Sequence, residues 1–402
     1  MAENRKINNY SRSLVAFAAC MGCAFFGVTM FFWGAMLPVV RESIAGADNF
    51  PWVLTLGIIA GTLICGTVMD RYGYKWLLIL SAASLAIGLA GFIYYTTSTA
   101  LYLSTFLIGA GGGVLNSETI AIISDIYGDD KRGAMLSILG ASYCVGSLLW
   151  TILCRVLVND YTLPMKTSAA VIAFLSFCFV FIKFPKAKLS KDEGSSILKS
   201  FTLLKYPLLV AVCSMLFFQG ILEAISANYS TSYYVNSENG IGLNMALTAL
   251  IFMTVGMAVG RFTLPLCMKI GGNKISLYLF MAIAFAGALI QYLMPGSILG
   301  AFLSMTFIGF GTGVTAPVVF SYLGEVFKKY SGIAVSLAVV VAQIGMLLGN
   351  FLVGKLFMPE RLERGTFHIF PIIMCIVIIL VVMHLSGVAK LTSKTKEKKL
   401  DL

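Results

Sequence analysis

The feature that most constrains this chain is a series of unbroken apolar runs, each roughly 20 residues long, the length that lets a helix cross about 30 Å of hydrocarbon. In lipid only helices and closed barrels satisfy every backbone hydrogen bond, and barrel strands would show alternating segments of about 10 residues instead. The runs therefore predict an all-α integral membrane protein. Twelve spans are expected, at residues 14–40, 53–69, 76–95, 100–126, 135–157, 167–182, 207–229, 245–263, 276–294, 299–323, 333–357 and 367–387.

The amino-acid composition also indicates a protein that is embedded in a lipid bilayer. Hydrophobic residues make up 58% of the chain and charged residues 12%, about half the charged share of a soluble domain. The first apolar run is too long for a signal-peptide core, so we expect it to remain as the first span. The net charge is +11, and the positions of the basic residues follow the orientation of a membrane protein. We therefore expect no nucleic-acid partner.

The positions of the basic residues predict the orientation. With a cytoplasmic N-terminus, 23 of the 29 Lys and Arg residues fall in cytoplasmic segments. The positive-inside rule then places both termini in the cytoplasm. We expect a multi-pass protein of the cytoplasmic (inner) membrane, acting as a monomer.

A polar connection near the middle divides the chain. We expect an N-terminal six-helix bundle at residues 1–182, a cytoplasmic linker at 183–206, and a C-terminal bundle with a basic tail at 207–402. The halves are related in sequence: LSTFLIGAGGGV at residues 103–114 matches LSMTFIGFGTGV at 303–314, an offset of 200. Small residues at such spacings let membrane helices approach closely. A duplicated six-helix unit, pseudo-symmetric about an axis along the membrane normal, is one transporter architecture.

The loop after the second span carries a recognisable motif. Residues 66–75 read GTVMDRYGYK, which resembles the G-x-x-x-D-R-x-G-R-[RK] signature of the major facilitator superfamily. Tyr74 stands where that family usually has a basic residue. The resemblance implies the major facilitator fold of two six-helix bundles and secondary transport by alternating access.

In that family the loop latches the two halves in one state. Asp70 can meet a helix N-terminus, and Arg71 can pair with Asp125 at the end of span four; alternatively, these charges only anchor the topology. The expected gating residues are Gly66, Asp70, Arg71, Gly73, Lys75 and Asp125.

Span four narrows the resemblance further. Residues 111–118, GGGVLNSE, followed by Ser124 and Asp125, resemble the fucose-permease-like sugar–proton symporters. That branch often has an acidic residue in span one as well, and residues 32–38 have none. The resemblance implies a sugar-like substrate and proton symport.

Only two carboxylates, Glu118 and Glu223, lie well inside apolar spans. A charged group at the bilayer centre costs about 2.5 kcal/mol or more, so such residues usually face a cavity or a partner. We expect Glu118 and Glu223 to be candidates for proton coupling. The alternative is that each is a protonated carboxyl tying two helices together.

Polar and aromatic side chains also recur at helical spacing on several spans, where they favour either a wet cavity or hydrogen bonds between helices. Amide groups suit sugar hydroxyls, and aromatic faces suit sugar C–H groups. The expected substrate-binding residues are Trp33, Asn116, Tyr143, Trp150, Gln219, Gln343 and Asn350.

Other functions have less support in the sequence. Drug–proton antiport is the nearest alternative, but span five lacks the Gly-Pro pair of the antiporter motif G-x-x-x-G-P-x-x-G-G. A solute sensor that does not transport is another. Residues 349–355, GNFLVGK, nearly spell a P-loop, but they lie inside span eleven and no Ser or Thr follows. We therefore expect no enzyme activity, no cofactor and no metal.

Overall fold

The structure is a computed structural model that describes residues 10–44, 46–94, 97–127, 129–185, 207–236, 240–326, 331–356 and 366–385. Helices dominate these residues. The first six are α1 Arg12–Ser43, α2 Phe50–Tyr72, α3 Tyr74–Tyr94, α4 Ser98–Ile126, α5 Asp129–Val156 and α6 Thr162–Phe179, with a 3₁₀ turn at Ala47–Asn49.

The second half begins with α7, Pro207–Asn236. A helical run then extends over Leu243–Leu293 but is broken at Gly272, where φ is +65° and ψ is −176°. It therefore holds two spans, α8 Leu243–Ile270 and α9 Ile275–Leu293. The chain continues as α10 Ile298–Val326, α11 Ser331–Leu356 and α12 Thr366–Leu385.

Within the described ranges, α1 to α11 are each long and apolar enough to cross a membrane, and α12 has a shorter apolar stretch, Ile369–Leu385. The predicted all-α membrane fold with twelve helices is therefore confirmed. The ends differ from the predicted ends by up to seven residues, because polar residues extend several helices. At α6, for example, an Asp160 carboxylate oxygen accepts hydrogen bonds from the Thr162 amide and hydroxyl at 2.9 and 2.7 Å, and the helix begins well before the apolar run.

The chain forms two compact units. The first comprises Met1–Val39 and Val53–Gly194, and the second comprises Val40–Trp52 and Ser195–Leu402. The short connection between α1 and α2 thus belongs to the unit built from α7 to α12. Most of the expected linker, residues 186–206, and the basic tail, residues 386–402, lie outside the described residues.

Glycines bring helices of the first unit into backbone contact. A Cβ at Gly109 would overlap the Leu54 carbonyl, and one at Gly113 would overlap that of Ile58, so α4 lies directly against α2. On a different side of α4, a Cβ at Gly111 would lie 2.5 Å from the Ser81 carbonyl oxygen of α3.

The second unit repeats these contacts at the predicted offset. Gly309 approaches the Met253 carbonyl of α8, and Gly313 approaches Met257 one turn further on. The helix-breaking glycines also correspond, since Gly73 has φ +76° and Gly272 has φ +65°. Both positions favour glycine because a positive φ is costly for other residues. The duplication therefore extends to the packing of each unit.

Candidate functional site

Glu118 lies near the middle of α4 and is 0% exposed. Its carboxyl group is beside the Leu78 main chain of α3, yet neither oxygen has hydrogen-bond geometry with any residue that the structure describes. A buried polar group without a hydrogen bond costs free energy, and a buried charge costs far more. A neutral carboxylic acid is the form that this setting tolerates.

The polar stripe on α4 faces α3. Gly111, Glu118 and Asp125 are seven residues apart and so share one side of the helix. The Tyr74 hydroxyl at the start of α3 donates a 2.6 Å hydrogen bond to the Asp125 carboxylate, and Gly111 packs on Ser81. The stripe is thus a seam between two neighbouring helices of the first unit.

Asn116 points away from that seam, because it precedes Glu118 by two residues and lies about 200° from it around the helix. Its side chain is half-buried. Of the two polar residues that the sequence singled out in the middle of α4, Asn116 is therefore the one partly open to the surroundings of the first unit.

The aromatic substrate candidates pack inside the first unit. Trp33 is 0% and Trp150 is 1% exposed. The Phe32 ring lies between them, stacked on Trp150 at 5.3 Å and edge-on to Trp33 at 4.9 Å. The Trp150 indole also donates to the Phe31 carbonyl at 3.2 Å. In this conformation Trp150 stabilises the contact between α1 and α5, and the Trp33 ring packs edge to face on Phe92 of α3 at 5.4 Å.

Tyr143 belongs to the same pair of helices. Its ring lies 5.6 Å from that of Phe26, and its carbonyl oxygen contacts Gly27 of α1 so closely that a Cβ there would overlap it. The side chain is 6% exposed, so Tyr143 is also buried in this packing.

On α7 the two candidates differ in environment. Gln219 is 2% exposed and its amide donates to the Thr312 carbonyl of α10 at 3.0 Å. Its Oε1 has no hydrogen bond within the part of the chain that the structure describes. Glu223, one turn later, is only half-buried. The Gln219 carbonyl is thus an unused acceptor, and the Glu223 carboxyl is partly accessible.

On α11, Gln343 and Asn350 lie on one side of the helix and are 6% and 0% exposed. Asn350 is fully engaged. Its Oδ1 accepts from Asn228 at 3.0 Å, its main-chain oxygen accepts from Tyr229 at 3.0 Å, and its Nδ2 donates to the Pro51 carbonyl at 3.4 Å.

The sequence analysis missed this cluster around Asn350. It also missed the ion pair of Arg41 with Asp48, whose closest atoms are 2.6 Å apart. One signal was available, because Asn228 is an amide inside a membrane span. The segment between α1 and α2 contacts α11, which is distant in the sequence, and such a contact leaves no local sequence pattern.

The described part of the gating motif makes two contacts in the first unit. Tyr74 holds Asp125, as above, and the Lys75 ammonium donates to the Val180 carbonyl just after α6 at 2.6 Å. Gly73 provides the positive φ between α2 and α3. The side chains of Asp70 and Arg71, and the environment of Gly66, lie outside what the structure describes, so the expected pairing of Arg71 with Asp125 stays a prediction.

Among the described residues, no group of three or more His, Cys, Asp or Glu side chains could hold a metal ion. The polar groups are instead carboxyl, amide and hydroxyl groups set singly into apolar helices. Such groups can exchange a proton or bind hydroxyl-bearing solutes.

Two transporters are among the curated relatives that match part of the chain. The D-xylose transporter of Levilactobacillus brevis is 29% identical over 143 residues, which cover 35% of this chain and 31% of that protein. Multidrug resistance protein 3 of Bacillus subtilis is 29% identical over 116 residues, which cover 28% of this chain and 23% of that protein. Each match therefore spans less than a third of the relative's length.

A solved structure and a family sequence model each match most of the chain. The crystal structure of a D-xylose–proton symporter superposes with a TM-score of 0.73 at 15% identity, covering 92% of this chain and 97% of that one. At such low identity the likeness concerns the fold alone. The sequence model of the Major Facilitator Superfamily matches residues 13–350.

Proposed function

Because this chain belongs to the major facilitator superfamily, we propose that it is a secondary active transporter that moves a sugar or sugar-like solute by alternating access, together with protons. Its family makes it a multi-pass membrane transporter rather than an enzyme. Our proposal extends to a cytoplasmic-membrane location, both termini in the cytoplasm, and action as a monomer.

The observation that carries proton coupling is the buried carboxyl of Glu118, which has no hydrogen bond to any described residue. Such a group is stable when protonated, and losing its proton would create an unpaired charge in a dry interior. A conformational change that admits water would make that loss easier. Release of the Glu118 proton would then be linked to the conformational change of the transporter. The half-buried Glu223 of α7 is the second candidate for proton coupling.

Support for a sugar-like substrate comes from the residues and from the relatives. Asn116 and Gln219, whose Oε1 accepts no hydrogen bond from the described residues, supply the amide chemistry that binds hydroxyl groups, and Gln343 adds a third amide. A D-xylose transporter is among the proteins that match the chain. Tyr143, Trp33 and Trp150 offer aromatic faces, which are buried in this conformation and would reach a ligand only after the packing of α1 against α3 and α5 changes.

Drug–proton antiport is a second candidate function, because Multidrug resistance protein 3 of Bacillus subtilis also matches the chain. The buried carboxyl would serve that function equally well. Span five counts against it, since residues 140–149, GASYCVGSLL, contain no Gly-Pro pair.

Ligand-induced stabilisation of the purified protein tests the substrate class. A ligand that binds the folded state stabilises it by RT ln(1 + [L]/Kd), so the unfolding midpoint rises with the logarithm of the ligand concentration once that concentration exceeds the Kd. We expect monosaccharides to stabilise the protein, with a larger shift at the lower of two pH values, whereas stabilisation by amphipathic dyes alone would favour antiport. Counterflow of the stabilising ligand in liposomes then separates a transporter from a sensor, because a sensor binds without exchange across the membrane.

A further inference from the structure

Gln291, near the end of α9, carries an amide group that is completely enclosed in the second unit. The residue is 0% exposed, and neither Nε2 nor Oε1 has a hydrogen bond with any residue that the structure describes. A glutamine side chain can donate two hydrogen bonds and accept two, and burying it without partners costs free energy. A polar partner from outside the described residues would remove that cost.

Two hydroxyl groups lie on the helices that surround this amide. The Tyr234 hydroxyl of α7 is 2.6 Å from the Ser304 Oγ of α10, and both residues are 0% exposed. The Gln291 amide lies near the Tyr234 hydroxyl but not in hydrogen-bond geometry with it. Residues near the ends of α7 and α9 and in the second turn of α10 thus bring three polar groups together.

The hydrogen atoms of this cluster can be assigned. Ser304 has one hydroxyl hydrogen, which it donates to the Ala301 carbonyl at 3.0 Å. Tyr234 is therefore the donor in its bond with Ser304, and the Tyr234 oxygen remains an acceptor. The cluster offers a donor and an acceptor on Gln291 and an acceptor on Tyr234, and these are groups that one water molecule can satisfy together.

The internal repeat shows which residue of the first unit corresponds to Gln291. A Cβ added at Gly88 of α3 would lie 2.8 Å from the Ser104 main-chain oxygen of α4, and one added at Gly287 of α9 would lie 2.8 Å from that of Ser304. Because these contacts are equivalent, the residues four positions after the two glycines also correspond. The first unit has an aromatic ring at that position, and the second has the Gln291 amide.

The ring in the first unit is that of Phe92, which packs edge to face on Trp33 of α1 at 5.4 Å. Ser226 of α7 corresponds to Trp33, because each follows by nine residues a carbonyl that a glycine of the neighbouring helix contacts. The Ser226 side chain is 0% exposed, and its hydroxyl has no hydrogen bond within the described ranges. An aromatic pair in one unit is thus replaced by two smaller polar residues in the other.

We infer that the second unit binds an ordered water molecule between α7, α9 and α10, held by the Gln291 amide and the Tyr234 hydroxyl. Buried waters in proteins typically make about three hydrogen bonds to polar groups that would otherwise be unsatisfied. This water donates to the Tyr234 oxygen and accepts from the Gln291 Nε2. It joins α7 to α9, whereas aromatic packing joins the corresponding helices α1 and α3 of the first unit.

X-ray radiolysis of the purified full-length protein tests for this water, because hydroxyl radicals formed from a bound water oxidise the side chain beside it. We expect Tyr234 to be oxidised several times faster than Phe280, a ring of α9 that is also 0% exposed and packs on Phe310 at 4.9 Å. In Gln291→Leu the Tyr234 rate should fall to that of Phe280, because the water loses a partner. Tandem mass spectrometry assigns each oxidised residue.

Thermal unfolding gives a second measurement. Gln291→Leu and Tyr234→Phe should each lower the midpoint, and the double variant should lower it by less than the sum, because one water serves both residues. Tyr292→Phe is the control, since that neighbouring side chain is 54% exposed, and its midpoint should equal that of the wild type. A dry site predicts the opposite sign, because replacing a buried amide that lacks partners raises stability.

Three results would each overturn the inference: equal oxidation of Tyr234 and Phe280, oxidation of Tyr234 that is unchanged in Gln291→Leu, and a higher midpoint for Gln291→Leu than for the wild type. Slower oxidation of Tyr234 on addition of a monosaccharide would also overturn it, by placing a solute there instead of water. The comparison of Tyr234 with Phe280 in the wild type remains decisive if a variant does not fold. Oxidation and unfolding are measured without substrate, so their failure would leave the proposed transport function standing.

Discussion

Glu118 and Asp125 lie on one side of α4, yet their environments differ. Asp125 is exposed and accepts a hydrogen bond from Tyr74, whereas Glu118 is wholly buried beside the α3 main chain without one from the described residues. Hydrogen bonds and solvent exposure stabilise a carboxylate, and burial disfavours it. Replacement of Glu118 should therefore affect proton movement more than it affects the fold.

We predict that Glu118→Gln folds normally and loses proton-driven uptake while keeping counterflow. Glutamine has the shape of the protonated acid but cannot release a proton. The measurement compares accumulation under an imposed pH gradient with exchange at equilibrium in the same proteoliposomes. Accumulation at the wild-type level would remove Glu118 from the coupling mechanism, and Glu223→Gln would then be the next variant to measure.

The hydrogen bond between Tyr74 and Asp125 makes a separate prediction about stability. Tyr74→Phe keeps the ring, which is 4% exposed, and removes a 2.6 Å bond to a carboxylate. A hydrogen bond to a charged group contributes about 1.5–3 kcal/mol, so the thermal midpoint of the purified protein should fall by several degrees. Tyr94→Phe is the control, because that side chain is 73% exposed. Equal midpoints in the two variants would mean that the bond adds nothing to stability.

The sequence was sufficient to identify the polar and aromatic residues inside the spans, but not to predict which neighbouring helix each side chain faces. Carboxyl and indole groups inside apolar runs stand out in the sequence, and a spacing of seven residues places them on one side of a helix. It does not say which neighbouring helix that side meets. Trp33 and Trp150 therefore were correctly placed on α1 and α5, while the packing of Trp33 on Phe92 and of Trp150 on Phe32 depends on tertiary contacts between distant segments.

Among the helices, α7 and α11 illustrate how small residues determine packing. Gly220 meets the Ala342 carbonyl, and Gly345 meets that of Phe217. A carbon atom at either place would force the backbones apart. At Gly349, four residues after Gly345 on α11, the nearest α7 atom to an added Cβ is the Ile221 Cα at 3.1 Å, which needs only a small shift.

This difference predicts unequal effects of one substitution on the same helix. Alanine gains about 1 kcal/mol of helix propensity over glycine, so Gly349→Ala should leave stability nearly unchanged. Gly345→Ala should lower it by about 1–3 kcal/mol, because overpacking shifts the backbone. Thermal unfolding of both variants side by side gives the comparison. A Gly345→Ala protein as stable as Gly349→Ala would show that the α7–α11 contact is looser than the structure has it.

The loop between α2 and α3 carries the prediction about gating. If Asp70 contributes to a latch, Asp70→Asn should slow uptake while the ligand-induced thermal shift stays as in the wild type. Uptake rates and thermal shifts of the same preparations provide the measurement. Asp160→Asn is the control, because Asp160 lies in the exposed connection before α6. Unchanged uptake in Asp70→Asn would argue that the charges of this loop only anchor the topology.

At the scale of the whole molecule, the halves share a backbone pattern but not a polar pattern. The Gly113 carbonyl accepts from Thr62 at 3.3 Å, and the corresponding Gly313 carbonyl accepts from Arg261 at 3.1 Å. Apolar length, charge distribution and a 200-residue repeat are long-range features, so the sequence was sufficient to predict the fold. The placement of residues 40–52 was not predictable, because these residues pack with the second unit, although α1 and α2, to which the first and last of them belong, lie largely in the first.

The most direct test of the account is solute accumulation in proteoliposomes that hold only this protein. Radiolabelled D-xylose and other monosaccharides are supplied outside, and an inward proton gradient is imposed and then collapsed with a protonophore. The account predicts accumulation above the outside concentration while the gradient lasts and its loss on collapse. Equal uptake with and without the gradient, or gradient-driven extrusion of dyes with no sugar uptake, would contradict it.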